Sequence, residues 1–161
     1  MAGEVTVSNG LAWSLDGATL YWSDTKAHRI DALTMNVQDG SLSQRRSWVQ
    51  RPLKPAGGTL ADYAGRPDGA AVDAQGCYWS AQFEGRRLLR LSPQAEVLQE
   101  VLLPVQCPTM PCFGGDDLRT LFITTARENR PAAELAAQPQ AGCVLQMRVD
   151  VPGLPVNFVT A

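Results

Sequence analysis

Asn9 and Asp68 are the two residues whose types and positions could form a site for chemistry. Each is followed by a glycine and then by a short apolar run, so each stands at the start of a predicted strand. A carboxylate and an amide oxygen brought together are hard ligands that suit a divalent cation. The alternative is that Asn9-Gly10 and Asp68-Gly69 are ordinary turn dipeptides, a common role for these pairs. Their place before a strand, and not between two paired strands, favours the site.

An internal repeat explains how two such distant residues could meet. The repeated unit is an apolar strand, a Gly/Asp turn and an aromatic-rich strand, and it begins near residues 11, 70 and 112. Each copy continues into further strand-like runs, which gives four short strands in about 40–50 residues, the size of a propeller blade. We predict an all-β fold of about three four-stranded β-propeller blades. They form one partial propeller domain of residues 1–161, with approximate blades at 9–50, 68–105 and 109–160.

The blade architecture positions the two candidate ligands. The first strand of a blade is the innermost, so its start lies at one mouth of the central channel, and successive blades direct Asn9 and Asp68 toward the same axis. The corresponding position of the third copy is Met110. An all-β sandwich also has short, closely spaced strands, but nothing in a sandwich requires the same order to recur three times.

Segments outside the strands carry fewer signals. Two irregular stretches, 51–65 and 126–142, interrupt the strands and are candidates for functional rims. The alanine-rich patch at 132–137 predicts a helical turn. His28, the single histidine, lies in a polar turn and is expected to be solvated. The serines that could act as nucleophiles, Ser8, Ser23 and Ser80, therefore have no histidine available for a catalytic triad.

Composition and charge exclude several classes of partner. The chain has 14 basic and 16 acidic residues and a net charge of −2, which gives neither a footprint for nucleic acid nor a polybasic surface for anionic lipid. No apolar run is long enough to cross a bilayer, so we expect no membrane association. The four cysteines form no CxxC pair and are predicted to be reduced, mostly buried thiols of a cytoplasmic protein.

The residues around both candidate ligands resemble a known family. The run SNGLAWS at 8–14 and the run GRPDG at 65–69 are similar to motifs of the family of senescence marker protein (regucalcin), gluconolactonase and luciferin-regenerating enzyme. The residues at 108–109, 113–115 and 118–121, and the ending at 153–155, are similar to that family's late signature. The resemblance implies the C-terminal half of a six-bladed propeller that binds one divalent metal in its channel and commonly hydrolyses sugar lactones.

The same resemblance implies a role for each candidate residue. Asn9 matches the family's metal-binding asparagine, and Asp68 matches its metal-binding aspartate and general base. Thr109 lies at a family position that lines the channel mouth, where it would contact substrate. The cofactor would be Ca²⁺, Zn²⁺ or Mg²⁺. The family's third ligand, a glutamate on an early blade, has no counterpart, since Glu4 lies only five residues before Asn9. Its main sugar-contacting arginine and asparagine are missing as well.

The incomplete ligand set leaves three interpretations open. The chain is a lactone hydrolase or part of one, a non-catalytic metal-binding propeller module, or a truncated structural fragment that needs a partner chain. With two protein ligands, a cation would bind weakly or be absent from this chain. Three blades would also leave apolar faces uncovered, and we expect two copies to pair as a homodimer that closes the propeller.

Overall fold

The computed structural model describes residues 3–60 and 62–155, and its strands form three antiparallel sheets in simple up-and-down order. The first sheet contains β1 (Ser8–Trp13), β2 (Thr19–Asp24), β3 (Arg29–Met35) and β4 (Leu42–Gln50). The second contains β5 (Arg66–Val72), β6 (Tyr78–Phe83), β7 (Arg87–Leu91) and β8 (Val97–Leu102). The third contains β9 (Pro108–Gly114), β10 (Thr120–Thr125) and β11 (Val144–Arg148).

These sheets confirm the predicted all-β fold of propeller blades, and we call them blades 1, 2 and 3 in chain order. The helix α1 (Ala132–Ala137) lies in the connection from β10 to β11, as the alanine-rich patch predicts. The last predicted strand of the third copy, at 156–160, lies outside the described residues. None of the helical structure in the described ranges is long and apolar enough to cross a bilayer.

Two apolar layers hold the three blades together. Period-two alternation sends every second side chain of a strand to the same face, so each blade can pack on a neighbour. The layer between blades 1 and 2 consists of Ala12, Tyr21, Ile30, Ala32, Ala70, Val72, Tyr78, Leu89 and Leu91. The layer between blades 2 and 3 consists of Trp79, Ala81, Leu88, Leu103, Leu121 and Ile123.

The inner strands β1, β5 and β9 meet at their starts. A Cβ atom on Gly10 would lie 2.7 Å from the carbonyl oxygen of Asp68, and a Cβ atom on Gly69 would lie 2.5 Å from the carbonyl oxygen of Thr109. Only glycine permits so close an approach of two backbones. Because this contact recurs from blade to blade, the three strands run in one direction. We call the end where they start the mouth and the opposite end the base.

Each inner strand is also irregular at the mouth. The pairing register shifts between Asn9 and Ala12 in β1, between Pro67 and Ala70 in β5, and next to Thr125 in the pairing of β9 with β10. A β-bulge bends the strand and redirects the side chains beside it. The candidate residues Asn9, Asp68 and Thr109 therefore lie in or beside a local distortion that a regular strand would not supply.

The cysteines divide evenly between interior and surface. Cys77 and Cys107 are buried and Cys112 and Cys143 are exposed, all as free thiols. The expectation of mostly buried thiols therefore holds for two of the four.

Candidate functional site

Asn9 is held at the start of β1 by the turn that follows β2. Its side-chain Nδ2 donates to Thr25 Oγ1 over 3.0 Å, and the Thr25 backbone N–H donates to the carbonyl of Val7 over 3.0 Å. Thr25 is buried, so the hydroxyl that receives the amide is fixed in place. Since the nitrogen of the Asn9 amide is engaged, its Oδ1 remains the group that can serve a ligand.

Asp24 fixes the backbone beneath this turn. Burial of its carboxylate opposes ionisation, but backbone N–H groups of Thr6, Val7, Ala27 and Lys26 donate to it and together lower its pKa. A carboxylate that accepts several backbone hydrogen bonds is held firmly in its charged form. Asp24 therefore holds the segment that carries Asn9 and is not itself available to a ligand.

Asp68 has the opposite environment. It is half-buried in β5, burial raises its pKa to about 6, and the positive charge of Arg66 only partly offsets this effect. No hydrogen bond from the described residues contributes to that pKa. An ionisable group that is buried without a matching partner marks a candidate functional position. At neutral pH Asp68 is still mostly ionised, so it can act as a ligand or as a base.

The backbones that carry Asn9 and Asp68 approach each other, since a Cβ atom on Gly10 would lie 2.7 Å from the Asp68 carbonyl oxygen. The convergence of the two side chains on one ligand stays a prediction. One carboxylate and one amide oxygen are chemically suited to Ca²⁺ or Mg²⁺, so the donor types fit a hard cation. In residues 3–60 and 62–155, no group of three His, Cys, Asp or Glu side chains is arranged to hold a metal. The described part of the chain thus offers two oxygen donors toward such a site.

Thr109 lies at the mouth in the third inner strand. Its Oγ1 pairs with Thr124 Oγ1 over 2.7 Å. The repeated glycine contact makes Thr109 the counterpart of Asp68 and makes Met110 the counterpart of Gly69. The sequence alignment of Met110 with Asn9 and Asp68 is therefore displaced by one residue, because the bulge in β9 differs from those in β1 and β5.

A charged cluster borders the mouth around Glu84, in the turn between β6 and β7. Arg130 donates to Glu84 Oε1 over 2.7 Å and makes two further bonds to Glu134. On the other side of Glu84, Lys54 lies 3.3 Å and Arg66 3.5 Å from Oε2. Glu84 therefore joins both long loops, since Lys54 lies in 51–65 and Arg130 lies in 126–143.

His28 lies beside this cluster and is not solvated as expected. It is only 5% exposed, because Tyr63 from the loop 51–65 covers it and bonds to its Nε2. Burial lowers the pKa of His28, and burial raises the pKa of Tyr63 to about 12. No sequence pattern predicts this contact, since the two residues lie 35 positions apart in irregular segments.

Sequence comparison identifies relatives of the chain. Residues 1–127 match the family described as the SMP-30/Gluconolactonase/LRE-like region. The chain belongs to this family. It is 53% identical over 153 residues to a 6-deoxy-6-sulfogluconolactonase of Pseudomonas putida, covering 95% of this chain and 50% of that protein. It is 39% identical to the regucalcin of Danio rerio, covering 94% of this chain and 49% of the relative.

Structural comparison agrees on the fold. The chain superposes on a calcium-binding protein, regucalcin, of Agrobacterium tumefaciens with a TM-score of 0.82 at 24% identity, covering 93% of this chain and 48% of that one. The chain therefore spans about half the length of the relatives it matches. This coverage agrees with the resemblance to half of a propeller.

Proposed function

We propose that Asn9 and Asp68 form part of the active site of a metal-dependent sugar-lactone hydrolase. The observation that supports this most strongly is that a half-buried carboxylate of raised pKa and an oriented amide lie at the starts of two adjacent inner strands whose backbones approach closely. Membership of a gluconolactonase-like family supports the reaction class. The proposal concerns the whole ring, of which this chain supplies three blades.

In this proposal Asp68 is the general base. Burial raises the pKa of Asp68 to about 6, so Asp68 is charged at neutral pH and available as a base, and a cation bound beside it would lower that pKa. Asp68 would accept the proton of the attacking water and return it to the ring oxygen of the lactone as that oxygen leaves. Asn9, held by Thr25, would keep its Oδ1 pointed at the same place throughout.

A divalent cation fits the same pair of oxygen donors. When bound, it supplies Lewis-acid stabilisation of negative charge that develops on the lactone carbonyl. Because Asn9 is neutral, one carboxylate is the single anionic donor that these two residues offer. A complete site would need further donors from the remaining blades, as the missing family glutamate implies.

The experiment is a proton-release assay on glucono-δ-lactone, corrected for spontaneous hydrolysis, with Ca²⁺, Mg²⁺ or Zn²⁺ and with a chelator. We expect metal-dependent hydrolysis that Asp68→Asn abolishes. Asp117→Asn, which removes a carboxylate of an exposed ion pair at the base, is the matched control and should retain the rate. Equal rates in Asp68→Asn and the wild-type chain would rule out Asp68 as the base.

The name of the Pseudomonas putida relative suggests which lactone to try next. That protein is named for a gluconolactone with a sulfonate at C6, and it is 53% identical to this chain. We therefore include the 6-sulfonated lactone in the proposed substrates, beside the unsubstituted one.

We also propose that a second copy of this chain completes the ring. Alternation along the strands leaves Leu11 and Trp13 exposed on the free face of blade 1, and Phe122 exposed on the free face of blade 3. Exposed apolar faces of this kind favour association, and a chain that covers half of its relatives needs three further blades to close. Light scattering should give the mass of a dimer, and a monomer at micromolar concentration would contradict this arrangement.

A further inference from the structure

Charge is strongly polarised between the two ends of the strands, although the chain as a whole is nearly neutral. At the base, the connections and the segment after β11 contain seven acidic residues and one basic residue. The acidic residues at the base are Asp16, Asp39, Asp73, Glu96, Asp116, Asp117 and Asp150, and the basic one is Arg119.

The mouth has the opposite balance. Its connections and the segment before β1 contain six basic residues against five acidic ones. The strands β3, β5 and β7 also begin at the mouth with an arginine, and β2 ends there with Asp24. Of these arginines, Arg29 is paired with Asp31 over 2.7 Å. Arg87 is paired with Glu100 over 2.7 Å, which leaves Arg66. A small excess of positive charge at the mouth, opposite an acidic base, favours the approach of ligands of negative charge. The mouth is therefore suited to an anionic ligand.

Arg66 is the arginine placed nearest the candidate active site. It lies two residues before Asp68 on β5, and its charge lowers the pKa of Asp68, of His28 and of Tyr63. Its guanidinium lies over the ring of Phe83, its strand partner, at 5.0 Å from the ring centroid. This stacking fixes the plane of the guanidinium while its side chain stays 27% exposed.

The positive charge of Arg66 is only partly neutralised by the protein. The nearest carboxylate oxygen, Glu84 Oε2, lies 3.5 Å away and is shared with Lys54, which donates to it over 3.3 Å. The other oxygen of Glu84 accepts a hydrogen bond from Arg130. One carboxylate thus faces three cations, and Glu134 balances only Arg130. Arg66 has hydrogen-bonding capacity left for an external oxyanion.

The spacing suits a single small ligand. Two residues of chain span at most about 7 Å even when fully extended, and the bulge beside Pro67 shortens this, so Arg66 and Asp68 are within reach of the two ends of one six-carbon lactone. A planar guanidinium binds two oxygens of a sulfonate or phosphate at once, which a lysine cannot do. A lactone whose carbonyl lies at Asp68 could therefore place a C6 oxyanion at Arg66.

We propose that Arg66 is a specificity-determining residue that binds a tetrahedral oxyanion, sulfonate or phosphate, on C6 of the sugar-acid substrate. This inference rests on the proposed lactonase function, since that function places the reacting carbonyl at Asp68. The basic mouth increases the rate at which such a substrate arrives, and Arg66 selects it once it is bound.

The test measures binding separately from turnover, by calorimetry with three stable sugar acids. The probes are gluconate, 6-phosphogluconate and 6-deoxy-6-sulfogluconate. We expect at least one of the two 6-substituted acids to bind ten times more tightly than gluconate, and the preference to weaken as salt rises. Arg66→Gln should reduce this preference to less than threefold, and the tighter of the two identifies phosphate or sulfonate as the natural group.

Two further variants separate recognition from folding and from net charge. Arg127→Gln removes an exposed charge of the same sign from the loop 126–143 and should retain the preference. Arg66→Lys keeps the charge and the aliphatic stem but not the planar guanidinium that binds two oxygens at once. It should retain only part of the preference for 6-substituted acids. A thermal melt of each variant checks that it is folded.

The outcomes distinguish this inference from the function beneath it. Equal binding of all three acids, no binding of any, or an unchanged preference in Arg66→Gln would overturn the role of Arg66. Binding with the expected preference but without hydrolysis of the corresponding lactones would overturn the lactonase proposal and leave the oxyanion site. Hydrolysis of substituted and unsubstituted lactones at equal kcat/KM would overturn the role of Arg66 and leave the lactonase proposal.

Discussion

Asp68 and Asp73 lie five residues apart along one segment and end in opposite environments. Asp73 is fully buried at the base, where its carboxylate accepts from the backbone of Gln75 and Cys77, from Trp79 Nε1 and from Arg90 Nε. Asp68 is half-buried at the mouth, and its pKa is raised to about 6 by burial. Asp73 is therefore committed to the fold, and Asp68 is available for chemistry.

The same division holds for the two ends as wholes. The acidic residues of the base hold short turns: Asp16 accepts from Ala18 N–H, Asp39 from Ser41 N–H and Asp117 from Arg119 N–H. The mouth has the long loops, the pair Asn9 and Asp68, and more cations than carboxylates. Burial of a carboxylate thus says little about function by itself, because the number of its hydrogen-bond donors separates a structural group from a reactive one.

The largest expected effect is on the stability of Asp73→Ala. This change leaves Arg90, whose side chain is 11% exposed, without its carboxylate partner. Breaking a buried pair in this way costs about 3–5 kcal/mol. Urea denaturation followed by tryptophan fluorescence should show that loss. The exposed pair of Asp117 and Arg148 is the control, and Asp117→Ala should cost much less, since it removes only an exposed ion pair and one turn hydrogen bond. Similar midpoints for both variants would remove the contrast between buried and exposed base residues.

The next largest effect is expected at Asp68, where substitution should weaken metal binding and leave the stability of the fold intact. Asp68→Asn should reduce affinity for Ca²⁺ by roughly a hundredfold, which corresponds to about 2.7 kcal/mol. The metal-free variant should be at least as stable as the wild-type chain at pH 7, because no buried charge remains at this position. Calorimetric titration and urea denaturation measure the two quantities. If Asp68→Asn loses as much stability as Asp73→Ala, both residues are structural.

Alanine substitution of one glycine at the mouth and one at the base should differ in its effect on stability. Gly10 and Gly17 both have positive φ, at 54° and 70°, so an alanine is strained at either. At Gly10 the added Cβ would also lie 2.3 Å from Ser23 Oγ and 2.4 Å from the Tyr78 hydroxyl, whereas at Gly17 the nearest atom is 3.5 Å away. We expect Gly10→Ala to be less stable than Gly17→Ala by about 1–3 kcal/mol in thermal denaturation.

The smallest expected effect is a pH dependence that belongs to Asp68 alone. Since burial raises its pKa to about 6, protons compete with a cation in a range where an ordinary aspartate stays charged. Affinity for Ca²⁺ should be constant above about pH 7 and fall about tenfold per pH unit below 6. Titrations at several pH values test this. The slope should vanish in Asp68→Asn, and a slope that begins near pH 4 would show an ordinary carboxyl group.

The sequence predicted the fold because the repeat is local. Alternating apolar residues and glycine turns encode strands and hairpins directly, and the recurrence of the unit orders the blades. It also placed Asn9 and Asp68 on adjacent inner strands, because each occupies the same point of its unit, and the close approach of Gly10 to the Asp68 carbonyl agrees with that placement. The counterpart in blade 3 could not be assigned to Thr109 from the repeat, because the bulge of β9 lies between Pro108 and Met110, at another point of the strand than the bulges of β1 and β5.

The rim of the mouth could not be predicted in the same way. The contacts of Glu84 with Lys54 and Arg130, and of Tyr63 with His28, join irregular segments that have no period. One feature of the sequence could have pointed to Arg66 as a ligand-binding residue, since it lies two residues before Asp68 on β5. The expected solvation of His28 was wrong because the folding of the loop 51–65 over the turn after β2 leaves no trace in either segment.

The hydroxyl of Tyr78 has a consequence for how the molecule opens. It crosses from blade 2 to donate to the carbonyl of Gly10 over 2.6 Å, and it also pairs with Ser23 Oγ over 3.1 Å. The tyrosine is fully buried, so water cannot replace these bonds while the two blades remain in contact. Blades 1 and 2 should therefore exchange their amide hydrogens as one cooperative unit. The backbone that carries Asn9 would then be released only when the neighbouring blade unfolds with it.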